Sequence, residues 1–266
     1  MSDFTPAHRG GAGAPMVLLH GFVDTWRTWE LVLAVLERRY DVLAPTLGGH
    51  AGGPQIEGEA NEEALLDAIE RAMDEAGFVD AHVVGNSLGG FLALKLAARG
   101  RAKSVVAFAP AGGWASEDGA FATTLVPHFT TMREQLAVAV PHAEALLSTP
   151  QGRRMATQFT TTNYEHIPIA LLAHQMRGVV ACESAPELLA YARREGWTLD
   201  AERIVCPVRI VWGTEDRLLP WPSAAARFRE EWLPNADWVQ LDGIGHCPQL
   251  DVPREAAQLI LGFATP

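Results

Sequence analysis

The hexapeptide Gly85-Asn86-Ser87-Leu88-Gly89-Gly90 follows the apolar run His82-Val83-Val84 and leads into a helical pattern from Leu88 to Ala98. Gly-x-Ser-x-Gly between a strand and a helix is the pattern of a nucleophile elbow, a sharp turn that lifts a serine hydroxyl clear of a sheet. Bulky residues two positions either side of that serine would collide, and Gly85 and Gly89 relieve the crowding. The helix N-terminus that follows favours negative charge developing beside Ser87. A serine hydroxyl is a weak nucleophile alone. Acyl-transfer chemistry at Ser87 therefore requires a base, a group that orients the base, and donors for an oxyanion.

Each of these has a candidate after a different strand-like run. Gly243-Ile244-Gly245-His246-Cys247-Pro248 follows Trp238 to Leu241, and its glycines and proline make His246 a loop residue free to reach into a cleft. Gly213-Thr214-Glu215-Asp216-Arg217 follows Val208 to Trp212. A carboxylate there can accept Nδ1–H from a histidine and stabilise the imidazolium. Asp216 is the candidate, with Glu215 its competitor one residue away. His20-Gly21-Phe22 ends the first apolar run, and the backbone N–H groups of Phe22 and Leu88 would form a two-donor oxyanion hole. His20 itself reads as a structural histidine beneath that turn. Cys247 reads as a packing residue, because a catalytic thiol needs its base across space and not next door in sequence.

The elements that must hold these groups alternate along the chain. Met16 to Leu19, Asp41 to Ala44, His82 to Val84, Ser104 to Phe108, Val208 to Trp212 and Trp238 to Leu241 read as buried strands. Trp29 to Arg38, Glu59 to Ala76, Leu88 to Ala98, Pro222 to Glu231 and Arg254 to Phe263 read as helices. This alternation predicts an α/β fold with a mostly parallel sheet covered by helices on both faces. From Trp114 to Leu199 the rhythm breaks. Helical pieces there are separated by Pro127, Pro141, Pro150, Pro168 and Pro186, read as residues that end or kink a helix. The expected organisation is a core of residues 1–113 and 200–266 with a helical cap, or lid, at 114–199. Trp114, Phe129, Phe159 and Met176 in the cap are candidates for a greasy pocket wall.

Over nearly its whole length the chain resembles the α/β-hydrolase superfamily. The resemblance rests on HGFVDTW, VLAPTLGGHAGG, HVVGNSLGG, VWGTEDRLLP and LDGIGHCPQLDVP. The order Ser87, Asp216, His246 is the chain order of that family's triad. The resemblance implies a serine hydrolase with those residues in the roles above, and a helical lid after the sixth strand of the family's sheet. A serine at the elbow separates the chain from relatives similar to haloalkane dehalogenases and epoxide hydrolases, which carry aspartate there. The family's N-terminal antiparallel hairpin is shortened here, with its first strand missing and its second short. His8 falls in the N-terminal tail on this reading.

The 266 residues are 48% hydrophobic, enough for a sizeable core. A formal net charge of -11 argues against a nucleic-acid surface, since neutralising phosphates needs clustered Lys and Arg. Three cysteines without regular spacing suit a reducing cytosol, no signal is read at the start, and no apolar run reaches membrane-span length, so a cytoplasmic protein is expected. No Cys/His cluster has metal-ligand spacing, and the expected reaction uses no cofactor. The expected activity is hydrolysis of small to medium uncharged carboxylic esters through an acyl-enzyme. Gly-Asn-Ser-x-Gly-Gly also resembles the elbow of meta-cleavage-product hydrolases, which cut carbon–carbon bonds in dianionic substrates; Arg133, Arg153, Arg154 and Arg177 could bind such anions. A cofactor-free perhydrolase (haloperoxidase-like) side activity and a non-enzymatic ligand receptor are the remaining alternatives.

Overall fold

The computed structural model describes residues 4–115, 119 and 121–264. Seven strands form one sheet: Ala7–Gly11 (β1), Ala14–Leu19 (β2), Tyr40–Pro45 (β3), Ala81–Asn86 (β4), Ala102–Phe108 (β5), Val208–Gly213 (β6) and Asp237–Leu241 (β7). Their order is β1-β3-β2-β4-β5-β6-β7, with β1 antiparallel to β3 and every other pair parallel. The central strands are apolar on both faces, as a sheet covered on both sides requires. Val17, Leu19, Val83, Val105, Ile210 and Trp212 face one core. Met16, Leu18, Val84, Val106, Phe108 and Val211 face the other.

Helices Glu30–Leu36 (α1), Glu62–Glu75 (α2) and Leu88–Ala98 (α3) lie among the first five strands. Asn61 caps α2 by accepting a hydrogen bond from the Ala64 amide at 2.8 Å, and Glu62 and Glu63 complement the positive end of its dipole. Almost all of α3 is buried. Between β5 and β6 come Val126–Ala139 (α4), Ala143–Leu147 (α5), Pro150–Thr157 (α6), Ile169–Ala181 (α7) and Ala185–Glu195 (α8). Pro248–Asp251 (α9) and Pro253–Leu261 (α10) finish the described chain. Among the described residues no helix is long and apolar enough to cross a membrane.

Three differences from the sequence reading have physical causes. The residues assigned to a tail form β1, an edge strand of alternating exposure, where His8 meets Glu37 at 2.5 Å and Arg9 meets Asp41 at 2.8 Å. It is the shortened remnant of the expected hairpin. The prolines of the insertion open helices more than they end them. Pro127, Pro150 and Pro186 stand in the first turns of α4, α6 and α8, where the missing N–H costs nothing, and Pro168 precedes α7. Pro222 to Glu231 is two short helical turns, at Ser223–Ala225 and Phe228–Trp232, and not one continuous helix.

The register sets the site. Leu19 lies beside Gly85, Asn86 beside Phe108, and Gly213 beside Leu241, so these strands end at one level. The chain crosses from β2 to one side of the sheet and from β4 to the other, which opens a crevice beyond their carboxyl ends.

Candidate active site

Ser87 stands between β4 and α3 with φ 57° and ψ −119°, a conformation rarely held by a residue with a side chain. Its neighbours make the turn possible. A Cβ on Gly85 would lie 2.1 Å from the Gly89 carbonyl oxygen, and one on Gly89 would lie 2.2 Å from that of Leu19. The turn is pinned by three bonds: the Ser87 amide donates to the Phe108 carbonyl at 2.9 Å, and the Ser87 carbonyl accepts from Phe91 at 3.1 Å and Ala111 at 3.0 Å. Gly21 packs beside it, since a Cβ there would lie 3.3 Å from that of Ser87. The amides of Phe22 and Leu88 have no hydrogen-bond partner among the described residues. They are unspent donors on either side of the serine.

His246 and Asp216 are both buried, and the imidazole Nδ1–H donates to Asp216 Oδ2 across 2.7 Å. The other Asp216 oxygen accepts from the amides of Leu218 at 2.9 Å and Leu219 at 2.7 Å, which holds the side chain in place. Glu215 is exposed. In a neutral imidazole with Nδ1–H committed to Asp216 the lone pair is on Nε2, and Nε2 is buried without a partner. Such a nitrogen can accept a proton from a hydroxyl delivered to it. The two loops are stitched together: Thr214 donates to Leu241 and Glu215 to Ile244 through the backbone. Gly213 permits this, because a Cβ there would fall 2.2 Å from the Ile244 carbonyl oxygen.

Asn86 joins the elbow to the histidine loop, a role that sequence reasoning missed. Its side-chain nitrogen donates to the Phe108 carbonyl at 3.1 Å and to the His246 carbonyl at 3.0 Å. Its oxygen accepts from Gln249 at 3.1 Å and from the Cys247 thiol at 3.3 Å. Burial, followed by the charge of Asp24, pushes the Cys247 thiol well above its ordinary value. A thiol held neutral packs and donates, as expected of that residue. His20 is fully buried: Leu47 donates its amide to Nε2 at 2.8 Å, so Nδ1 carries the proton and donates to the Gly21 carbonyl at 2.7 Å. Burial and then the neighbouring His50 press its pKa well below the ordinary value, as a structural histidine requires.

Ser87 and Leu88 line a cleft of about 730 Å³, its open mouth included. Phe22, Phe91, Trp114, Phe121, Phe129 and Trp197 are among its walls. Phe91 and Trp114 meet Trp197 with ring centroids 4.9 and 5.9 Å apart. Of the cap residues expected at a pocket wall, Trp114 and Phe129 line this cleft. Phe159 and Met176 do not. Phe159 is 40% exposed and packs on His128, while Met176 of α7 is buried with Leu171, Cys247 and Leu250. Among the described lining residues the one charged side chain is Glu62, paired with Lys95 at 2.6 Å. No group of three or more His, Cys, Asp or Glu suited to a metal ion occurs among the described residues.

Three curated proteins are similar to the chain. Epoxide hydrolase EphH of Mycobacterium tuberculosis (strain ATCC 25618 / H37Rv) is 32% identical over 75% of this chain and 92% of its own. The 2-hydroxymuconate semialdehyde hydrolase of Pseudomonas sp. (strain CF600) is 25% identical over 97% and 89%. The pimeloyl-[acyl-carrier protein] methyl ester esterase of Aromatoleum aromaticum (strain DSM 19018 / LMG 30748 / EbN1) is 30% identical over 92% and 96%. Their names cover three different substrates, so likeness to them does not single out one reaction. The family model for the alpha/beta hydrolase fold matches residues 14–253, and the chain belongs to that family.

Proposed function

We propose that the chain is a serine hydrolase of carboxylic esters of small to medium uncharged acids, acting through an acyl-enzyme. Ser87 attacks the carbonyl, and His246 Nε2 takes the proton and returns it to the leaving alcohol. Asp216 holds the imidazole's tautomer, and the Phe22 and Leu88 amides receive the oxyanion. Water then repeats the sequence to release the acid. The observation that carries this reading is the buried pair of His246 and Asp216, with Nδ1 committed at 2.7 Å and Nε2 unpartnered, in a chain that also forces Ser87 into an elbow.

The chemistry of the nucleophile argues against epoxide opening. A serine that opened an epoxide would be left as an ether, which water does not hydrolyse, whereas a carboxylate would leave a cleavable ester. The cleft argues against dianionic carbon–carbon substrates. Arg177 pairs with Glu144, Arg153 donates to the carbonyls of Tyr164, Glu165 and Ile167, and Arg133 donates to that of Val180. None of these, nor Arg154, lines the cleft. An uncharged acyl group against aromatic walls is the better match. The test is a panel of p-nitrophenyl esters of increasing acyl length, with Ser87→Ala as control. Turnover that peaks within the panel and vanishes in the variant is expected, and no turnover on any ester overturns the ester assignment.

A further inference from the structure

Asp251 is a buried carboxylate that the proposed chemistry does not use. It is 1% exposed, and no Lys or Arg among the described residues pairs with it. Hydrogen-bond donors surround it instead. Oδ2 accepts from the Gly245 amide at 2.7 Å and the Thr162 amide at 2.9 Å. Oδ1 accepts from the Asn163 amide at 2.7 Å and the Asn163 side chain at 2.9 Å. The Thr162 hydroxyl lies 3.1 Å from both oxygens. A carboxylate out of water is tolerated when donors fill its lone pairs in this way.

These donors come from two places that chemistry would want joined. Gly245 precedes His246. Thr162 and Asn163 lie in the insertion, between α6 and α7. Two more bonds link the same pair of segments: the Cys247 amide donates to the Thr160 carbonyl at 2.8 Å, and the Thr162 hydroxyl reaches the Gly243 carbonyl at 2.8 Å. Residues 243, 245 and 247 are thus each tied, directly or through Asp251, to residues 160–163. The approach is close enough that a Cβ on Gly245 would sit 2.9 Å from the Thr160 carbonyl oxygen. A loop with glycine on both sides of Ile244 takes its stiffness from its neighbours: Glu215 and Asn86 bond it from the core side, and residues 160–163 hold it from the other.

We infer that Asp251 is a positioning residue that clamps the His246 loop to residues 160–163, so that the insertion itself sets where the imidazole stands relative to Ser87. The inference rests on the proposed Ser87–His246 chemistry. It also means that this part of the insertion is a fixed support of the site.

The test is the rate at which a fluorophosphonate labels Ser87, followed by intact mass at several reagent concentrations, together with the final labelled fraction and the thermal midpoint. Asp251→Asn keeps the shape but turns an amide nitrogen toward donors. It is expected to label to full stoichiometry with a maximal rate roughly 10–100-fold lower and the half-saturating reagent concentration within about twofold. Thr162→Val, which loses only the hydroxyl, is expected to slow labelling by roughly 3–10-fold. A merely structural role would lower the midpoint or the labelled fraction and leave the rate per folded site unchanged; that result overturns the inference. Should Asp251→Asn not fold, Thr162→Val decides alone, and a rate within about twofold of the parent overturns it. A parent that never labels at Ser87 overturns the proposed chemistry and this inference together, whereas a labelling parent with unaffected variants overturns the inference alone.

Discussion

Helices α4 and α7 belong to one insertion and pack against each other, yet they meet the rest of the molecule on different terms. Six residues of α7 are buried, among them Leu171, Leu172 and Met176, and its polar side chains reach the turn after β2. His174 bonds Thr25 at 3.0 Å, and Gln175 donates to Asp24 at 2.9 Å. In α4 no residue is buried. Phe129 meets Phe22 ring against ring, Met132, Leu136 and Ala139 pack only partly buried against their neighbours, and Arg133 donates to the Val180 carbonyl of α7 itself. Burial of apolar area and internal bonding set how readily a segment opens, so α7 behaves as core and α4 as the wall that yields. A groove also lies on the outer face of this wall. Leu189 of α8 lines both the cleft and an outer groove formed with Val126 and Thr130 of α4.

The contrast can be broken most forcefully at Leu171, which is fully buried in α7. Leu171→Ala is expected to cost about 2–5 kcal/mol of unfolding free energy in denaturant titrations. A loss below about 1 kcal/mol would mean that α7 is no better anchored than α4.

A smaller effect concerns pH. His174 is buried, and burial, then Arg27, lowers its pKa from 6.5 to about 4. The unfolded chain therefore takes up that proton first, and the anchoring of α7 weakens as pH falls from 6.5 toward 4. His50, lowered to about 4 by burial, adds the same sign. Asp24 opposes them: burial raises its pKa from 3.8 to about 6, so its contribution is lost as pH rises across that interval. Melting temperatures measured between pH 4 and 7 should rise with pH, and His174→Gln should flatten the rise. An unchanged slope in the variant would detach His174 from the anchor.

The smallest effect on stability is expected in α4. Phe129→Ala should change unfolding free energy by no more than about 1 kcal/mol, because no residue of the helix is buried. It should still raise KM for the longer acyl esters, since Phe129 lines the cleft. A large stability loss with unchanged KM would reverse the assignment of the two helices.

The strand ends were legible in the sequence and the insertion was much less so, for a physical reason. Ser87, Asp216 and His246 each sit in a local pattern of apolar run followed by a glycine-containing turn, and such a pattern specifies its own backbone. The α3 boundaries, Leu88 to Ala98, follow from the same elbow. Wall residues depend on how helices turn against the core. Phe121, Phe91 and Trp197 enter the cleft while Phe159 and Met176 do not, and nothing local to those residues distinguishes them. Strand β1 is expected only as a short strand and its residues cannot be picked out, because an edge strand can be polar: His8 and Arg9 are satisfied by Glu37 and Asp41, about thirty positions away. Asp251 is a third case. A buried acid beside a helix start looks like a surface residue until the amides of residues 162, 163 and 245 and the Asn163 side chain converge on it.

The central claim is that Ser87 is the activated nucleophile, and the most direct measurement is intact mass after exposure to a fluorophosphonate. The account predicts that the parent gains the mass of one phosphonyl group, located on Ser87 by peptide mapping, and that Ser87→Ala gains none. Equal labelling of both proteins, or of neither, would contradict it.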